Sequence, residues 1–124
     1  MATTYTPKKK LGDLLLVEVQ PGWTKGAGTL LAGTAYKLGT VLALVSGKYQ
    51  VIDPAGTGAA KKAVAVLGED VDASAADAES RVLIKRGAVV NLDELVWPDA
   101  ATDAQKATAV AELDALGIVA SAPI

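Results

Sequence analysis

Up to about residue 90, short apolar runs alternate with turn residues along the chain. Runs rich in Val, Leu and Ile that are bounded by Gly, Pro or Asp are typical of β-strands. A two-residue turn around Ser46-Gly47, between two such runs, predicts a β-hairpin. The pattern predicts strands at Leu14–Val19, in short pieces around TLLAG and YKLGT within Gly22–Gly39, and at Val41–Val45, Tyr49–Ile52, Ala63–Leu67, Arg81–Gly87 and Ala88–Val90.

Two less regular segments separate these strands. DPAGTGAAKK predicts a loop, and the acidic, alanine-rich GEDVDASAADAES predicts an excursion over the surface. Gly87 is expected to mark a turn or bulge. Apart from these short strand pieces, the pattern predicts no function for the glycine-rich segment Gly22–Gly39.

After Val90 the pattern becomes helical. Asn91 and Glu94 have the spacing of a capping box, which predicts a short helical turn that ends before Pro98. Thr102 and Gln105 repeat the spacing and predict a helix that continues to about Leu116.

The second helix is expected to bury one stripe, formed by Ala107, Val110, Leu113 and Leu116. Lys106, Glu112 and Asp114 are expected to face outward. Gly117 is placed to end the helix in the left-handed conformation, followed by a last short strand from Ile118.

These elements predict one α+β, β-rich domain: a small β-barrel or sandwich with a short helix and a C-terminal helix. The polar segment before the first strand predicts a flexible arm over residues 1–13, because it has no periodic apolar face to bury. The domain is expected to span residues 14–124, with a helical part at about 91–117.

Composition excludes several functional classes. The chain has 124 residues, of which 51% are hydrophobic, and this favours one folded domain. A net charge of -2 favours neither nucleic acid nor an anionic membrane as partner. Without Cys or His, disulfides, thiolate zinc sites and Ser-His-Asp hydrolases are excluded. With no leader pattern and no long apolar run, a soluble protein made in the cytosol is expected.

Few residues carry candidate chemistry. The loop Gly56–Lys62 departs from the phosphate-binding G-x-x-x-x-G-K-[ST] pattern, and a flexible hairpin loop is favoured. The acids of Glu69–Asp72 lack the spacing of a calcium loop and indicate a solvated turn. Asp93 and Glu94 are adjacent on a helix and point in different directions, so they do not form an acid–base pair. No catalytic residue, cofactor site or metal site is predicted.

Trp97 admits two interpretations. It is either a core residue that anchors the short helix to the β-structure, or an anchor at a protein–protein interface, where tryptophan is enriched. In an oligomer both interpretations can be true.

Several segments, in order, resemble one known family. The hairpin VLALVSGKYQVIDPAGTG is followed by AVAVLGEDVDAS and then by LIKRGAVVNLDELVWPDAA with an alanine-rich helix. YTP and GDLLLVE near the start resemble the longer members. From about Tyr5 to Ile118, the chain resembles the head decoration protein D family of lambda-like tailed phages.

The resemblance implies a capsid decoration (cement) protein without catalytic activity. It implies a homotrimer on the three-fold axes of the expanded icosahedral head, which fastens neighbouring capsomers against the pressure of packaged DNA. It further implies a location on the capsid exterior after synthesis in the bacterial cytoplasm, with no cofactor and no direct contact with nucleic acid or membrane.

The resemblance also implies site residues. The arm is understood to be disordered when free and to pair with a strand of the major capsid protein. Its capsid-binding candidates are Thr3, Thr4, Tyr5, Thr6, Pro7, Lys8, Lys9 and Lys10. Candidates for anchoring near the trimer contacts are Leu95, Trp97 and Pro98. The alternative function is a small β-barrel that binds a sugar or another ligand, with Tyr36 or Tyr49 and the Gly-rich loops at its site.

Overall fold

The structure, a computed structural model, describes residues 11–121. The part of the predicted arm up to Lys10 therefore lies outside the described residues. Leu11–Leu14 form a single helical turn, in which Leu14 is fully buried.

The described chain is β-rich with one main helix, so the predicted α+β class is confirmed. Its helices are α1 (Leu11–Leu14), α2 (Pro21–Thr24) and α3 (Asp103–Ala115), with 3-10 turns at Gly58–Lys61 and Leu92–Glu94. Its strands are β1 (Leu15–Glu18), β2 (Lys25–Leu30), β3 (Ala35–Tyr36), β4 (Val41–Val45), β5 (Lys48–Val51), β6 (Ala65–Leu67), β7 (Val71–Asp72), β8 (Ala78–Ile84), β9 (Ala88–Asn91) and β10 (Ile118–Ser121).

Five strands pair in the circular order β2–β5–β4–β6–β8 and form a barrel-like sheet. The predicted β4–β5 hairpin is present, with positive φ angles at Ser46 and Gly47 as a two-residue turn requires. Between β2 and β5 the link is one parallel register pair, Leu30 with Tyr49. The sheet is therefore closed there at a single point rather than along a full ladder.

The apolar core lies on both sides of this sheet. In β4, Val41, Leu42 and Ala43 are all fully buried, because the strand is covered on both faces. Leu42 belongs to an inner cluster that draws on every strand of the ring. Val41 and Ala43 belong to an outer cluster shared with α1, β9, α3 and β10.

The outer layer is a three-stranded sheet with the order β1–β9–β10. β1 is antiparallel to β9, whereas β10 runs parallel to it. β9 and β10 are consecutive strands that run parallel, and parallel strands need a crossover connection between them. The helix α3 lies in this connection and packs on β10. The helical tail is therefore the crossover that brings the last strand back beside β9.

Both predicted helix starts are present. Thr102 Oγ1 accepts a hydrogen bond from Gln105 N–H at 3.2 Å, and Thr102 N–H donates to Gln105 Oε1 at 2.9 Å, so the capping box is complete. Asn91 Oδ1 accepts from Asp93 N–H at 3.0 Å and begins the 3-10 turn. Gly117 has a φ of 80° and ends α3 as predicted.

The predicted buried stripe of α3 is wrong in part. Leu113 is fully buried as expected, but its buried companion is Ala109, while Ala107 and Leu116 are exposed. Glu112, expected to face outward, is half-buried and accepts a hydrogen bond from Ala63 N–H at 3.2 Å. The helix is rotated from the predicted orientation because it packs on β10 and the β6 side of the outer core.

The two segments interpreted as irregular contain regular structure. The predicted loop after Ile52 includes the 3-10 turn Gly58–Lys61, and the acidic excursion includes β7 and the start of β8. In the glycine-rich segment, Gly28 faces the inner cluster: a Cβ there would lie 2.5 Å from Leu83 Cδ1 and 2.6 Å from Tyr49 Cε2. This glycine is needed because two large side chains approach its backbone.

We expect Leu113→Ala to lower the free energy of unfolding by about 2–5 kcal/mol, because it leaves a cavity in the outer core. The matched control is Leu116→Ala on the same helix, which should change stability by less than about 1 kcal/mol. Denaturant unfolding at one protein concentration measures both. Equal losses in the two variants would contradict the packing of α3 described above.

Candidate partner-binding surfaces

The three predicted anchor residues follow the 3-10 turn on one extended segment. Leu95 is buried in the outer core, and Trp97 is half-buried against the same cluster. Between them, Val96 N–H donates to Gly39 O at 2.8 Å. Val41 N–H donates back to Val96 O at 3.2 Å, which fastens the segment to the start of β4.

Pro98 closes this segment. It is half-buried, and its carbonyl accepts a hydrogen bond from Ala101 N–H at 3.0 Å in the turn before α3. The structure therefore brings Leu95, Trp97 and Pro98 together and gives the tryptophan a role within the fold. A role for them in contacts between subunits stays a prediction.

The predicted capsid-binding arm, Thr3 to Lys10, lies outside the described residues, but its junction with the domain is described. Leu11 is half-buried against the outer core. The helix α1 packs against β1, β9 and the 3-10 turn at Leu92–Glu94. The first described residues after the arm therefore pack beside the outer three-stranded sheet.

The two tyrosines of the alternative ligand site have different environments. Tyr36 is buried in the inner cluster, and its hydroxyl donates to Leu31 O at 2.7 Å. Burial, followed by the nearby charge of Asp77, raises the pKa of Tyr36. Tyr49 is half-buried, with the Lys85 ammonium 5.7 Å from its ring centroid. Tyr36 is thus buried and hydrogen-bonded within the fold, whereas Tyr49 lies beside a cation.

The carboxylates of the acidic excursion are engaged with the protein backbone. Asp70 Oδ1 accepts from Leu38 N–H at 2.8 Å, and Glu69 Oε2 accepts from Val82 N–H at 2.8 Å. Within residues 11–121, no group of three or more acidic side chains is arranged to hold a metal ion. These acids tie the excursion to β8 and to the segment between β3 and β4.

Two further acids of the excursion have lowered pKa values. Hydrogen bonds from the Ser74 hydroxyl and backbone N–H lower the pKa of Asp72. The Lys48 ammonium, followed by a hydrogen bond from Ala32 N–H, lowers the pKa of Asp77. Asp77 thereby links the hairpin to the end of β2.

A surface that the sequence analysis missed surrounds Trp23 in α2. The Trp23 side chain is 49% exposed, and its ring packs against Gly87, where a Cβ would overlap it. The Arg86 guanidinium lies 5.8 Å from the ring centroid, and Arg86 Nη1 donates to Trp23 O at 2.7 Å. The sequence did contain a signal for this surface: in PGWT, Trp23 follows a Pro-Gly turn, much as Trp97 stands beside a turn.

Several apolar side chains on and beside the outer sheet are also exposed or half-buried. Val17 and Val119 are each paired with Val89, one from either side, so the three valines form a row across β1, β9 and β10. The neighbouring Ala88 and Val90 are buried, and side chains alternate along a strand, so the row faces away from the core. We use the name Trp23 surface for these three valines together with the exposed Leu16, Val19, Trp23 and Leu116.

No helix within residues 11–121 combines the length and apolar character needed to cross a membrane. Exposed apolar side chains of this small α+β domain lie around Trp23 and on the outer sheet.

Comparison with known proteins identifies the family. The model of the family described as Bacteriophage lambda head decoration protein D matches residues 4–118. Because the match covers most of the chain, the chain belongs to this family, and the predicted resemblance is confirmed. It is therefore grouped with structural proteins of the phage capsid, a family not known for catalysis, and family membership implies binding to the capsid. The search of curated proteins found no match.

We expect Trp97→Ala to lower the free energy of unfolding by roughly 1–3 kcal/mol, because the indole covers part of the outer core. Unfolding is measured at several protein concentrations, with the exposed Leu92→Ala as control. A loss that is the same at every concentration supports a role in the fold. A loss that appears only at high concentration would contradict that role and assign Trp97 to a subunit interface.

Asp77→Asn tests the link between the hairpin and the excursion. The folded-state pKa of Asp77 lies below its ordinary value of 3.8, so its charge stabilises the fold above that pH. This contribution is lost as the pH falls through the lowered pKa. We expect the variant to be less stable at neutral pH and less sensitive to acid in thermal unfolding. Glu79→Gln, an exposed acid outside the described ion pairs, is the control, and identical pH profiles for all three proteins would contradict the link.

Proposed function

We propose that this protein decorates the phage head as a homotrimer at the three-fold axes of the expanded shell. There it fastens neighbouring capsomers and stabilises the head against the pressure of packaged DNA. The observation that carries the proposal is the family match over residues 4–118. A small fold with exposed apolar surface supports it, because contiguous apolar patches mark interaction sites.

The arm is proposed to bind the major capsid protein by strand addition. An extended segment gains main-chain hydrogen bonds at a sheet edge without needing a highly specific sequence, and TTYTP suits this mode. Ordering the arm costs about 1–2 kcal/mol for each residue fixed, so one arm binds weakly. Three arms on one trimer bind with much higher avidity, because the second and third attachments are intramolecular.

The segment around Trp97 is proposed to hold the short helix near the trimer contacts. Leu95 lies in the outer core, so the segment is rigid enough to present Trp97 and Pro98 to a neighbouring subunit. Selectivity for expanded heads is proposed to be geometric: expansion creates the footprint that a trimer needs. No covalent change in the decoration protein is required.

We expect the protein to co-sediment with undecorated heads after expansion, at one trimer per three-fold site, and not with unexpanded precursors. Deleting residues 1–10 should lower the apparent affinity about 100-fold or more, because the multivalent attachment is lost. The deletion ends at Lys10 because Leu11 and Leu14 pack in the outer core. Equal binding to both head forms would contradict the geometric selectivity.

Two arm variants separate strand addition from charge attraction. Thr4→Pro with Thr6→Pro removes backbone N–H donors and should abolish the arm's contribution. Thr4→Ala with Thr6→Ala is the matched control and should bind nearly as wild type. Undiminished binding by the proline variant, or by the deletion, would overturn the arm mechanism.

A further inference from the structure

A surface pocket of about 370 Å³ lies beside Trp23 where β9 and β10 begin. Two aromatic rings, Trp23 and Tyr49, contribute to its wall, together with Leu116. Its polar lining is cationic: Lys62, Lys85 and Arg86. Among the side chains that the structure describes, no acidic one lines it. Such a local excess of positive charge contrasts with the net charge of -2 of the whole chain.

The three cations keep hydrogen-bonding capacity for a ligand. The ion pairs found within residues 11–121 join Lys25 to Glu18, Lys48 to Asp77 and Arg81 to Glu69, so none of them uses a pocket cation. Lys85 Nζ donates to Ala27 O at 3.0 Å, and Arg86 donates one bond to Trp23 O. A lysine has three N–H donors and an arginine five, so most of them remain available.

The rings hold two of the three cations in place. Lys85 lies over Tyr49 and Arg86 over Trp23, so each charge sits against an aromatic face. Pre-positioned cations lose less side-chain entropy when they bind an anion. The site therefore favours a carboxylate or another anion at its centre.

Apolar side chains also lie on the outer sheet, whose strands β9 and β10 begin beside the pocket. Leu116 lines the pocket and comes just before β10, where Val119 forms a row with Val89 and Val17 across the sheet. Val17 is 51% exposed and Val119 41%. A nucleic acid would leave this apolar row uncovered, whereas a peptide with acidic and apolar side chains satisfies both parts.

We infer that the pocket binds an acidic segment of the shell protein, with carboxylates on the cations and apolar side chains on the valine row. This inference rests on the proposed function, because the arm attaches to the same outer sheet and would bring that partner close. It adds a second contact to the capsid, separate from strand addition by the arm. The contact is electrostatic at its centre and weakens as salt is raised.

The matched pair Lys62→Glu and Lys61→Glu tests the site. Both lysines are exposed and adjacent, but only Lys62 lines this pocket, whereas Lys61 lines another beside Gln105 and Thr108. Lys62→Glu should lower the affinity for expanded heads about tenfold, with Lys61→Glu unchanged. Equal binding by the two variants would overturn the inference while leaving the decoration function in place.

A second measurement does not depend on heads. A short synthetic peptide of alternating Glu and Val is titrated into the isotope-labelled full-length protein, and the indole N–H signal of Trp23 is followed by NMR. The signal is assigned with Trp97→Phe. We expect a saturable shift that Lys62→Glu abolishes and Lys61→Glu keeps.

Three outcomes separate the two proposals. A peptide-dependent shift without binding to heads supports a site for acidic peptides, but overturns the decoration function and with it the shell protein as the partner of the pocket. Binding to heads without any peptide shift, and with equal affinity of the two lysine variants, overturns the pocket alone. Tighter binding of an oligothymidylate than of the peptide would also overturn the inference, because it would assign the site to nucleic acid.

Discussion

The burial of strand β4 on both faces is the constraint on which the rest of the structure depends. Val41, Leu42 and Ala43 are fully buried, so apolar side chains must cover the strand from two sides. The ring of five strands covers one side with the inner cluster. The other side needs a second layer, and α1, β9, α3 and β10 form it. Because that layer is only one sheet thick near β1, its far side carries the exposed valine row.

The outer layer therefore both completes the core and carries the surfaces that are proposed to bind partners. The arm enters it at α1, the Trp97 segment fastens it to β4, and Trp23 packs over its edge at Gly87. A partner that binds this layer contacts elements already rigid through burial, so little additional ordering is required outside the arm. This arrangement suits a protein whose proposed task is to hold other subunits together.

Short-range sequence patterns were sufficient to predict the structural features that depend on local interactions. The β4–β5 hairpin, the capping box at Thr102 and the left-handed Gly117 were predicted because each depends on residues only a few positions apart. The buried face of α3 was predicted wrongly in part, since a weakly amphipathic, alanine-rich helix offers several faces of similar hydrophobicity. Packing against β10 and the hydrogen bond from Ala63 to Glu112 decide among them.

The sequence by itself determined the α+β class, most strand positions, both helix starts and the family, because these depend on patterns that are continuous along the chain. Only the tertiary structure decided that β10 returns parallel to β9 and that Gly28 makes room for Tyr49. It also brought Trp23, Lys62 and Arg86, which are distant in sequence, into one pocket. Such contacts arise from long-range packing, and no local pattern along the chain encodes them.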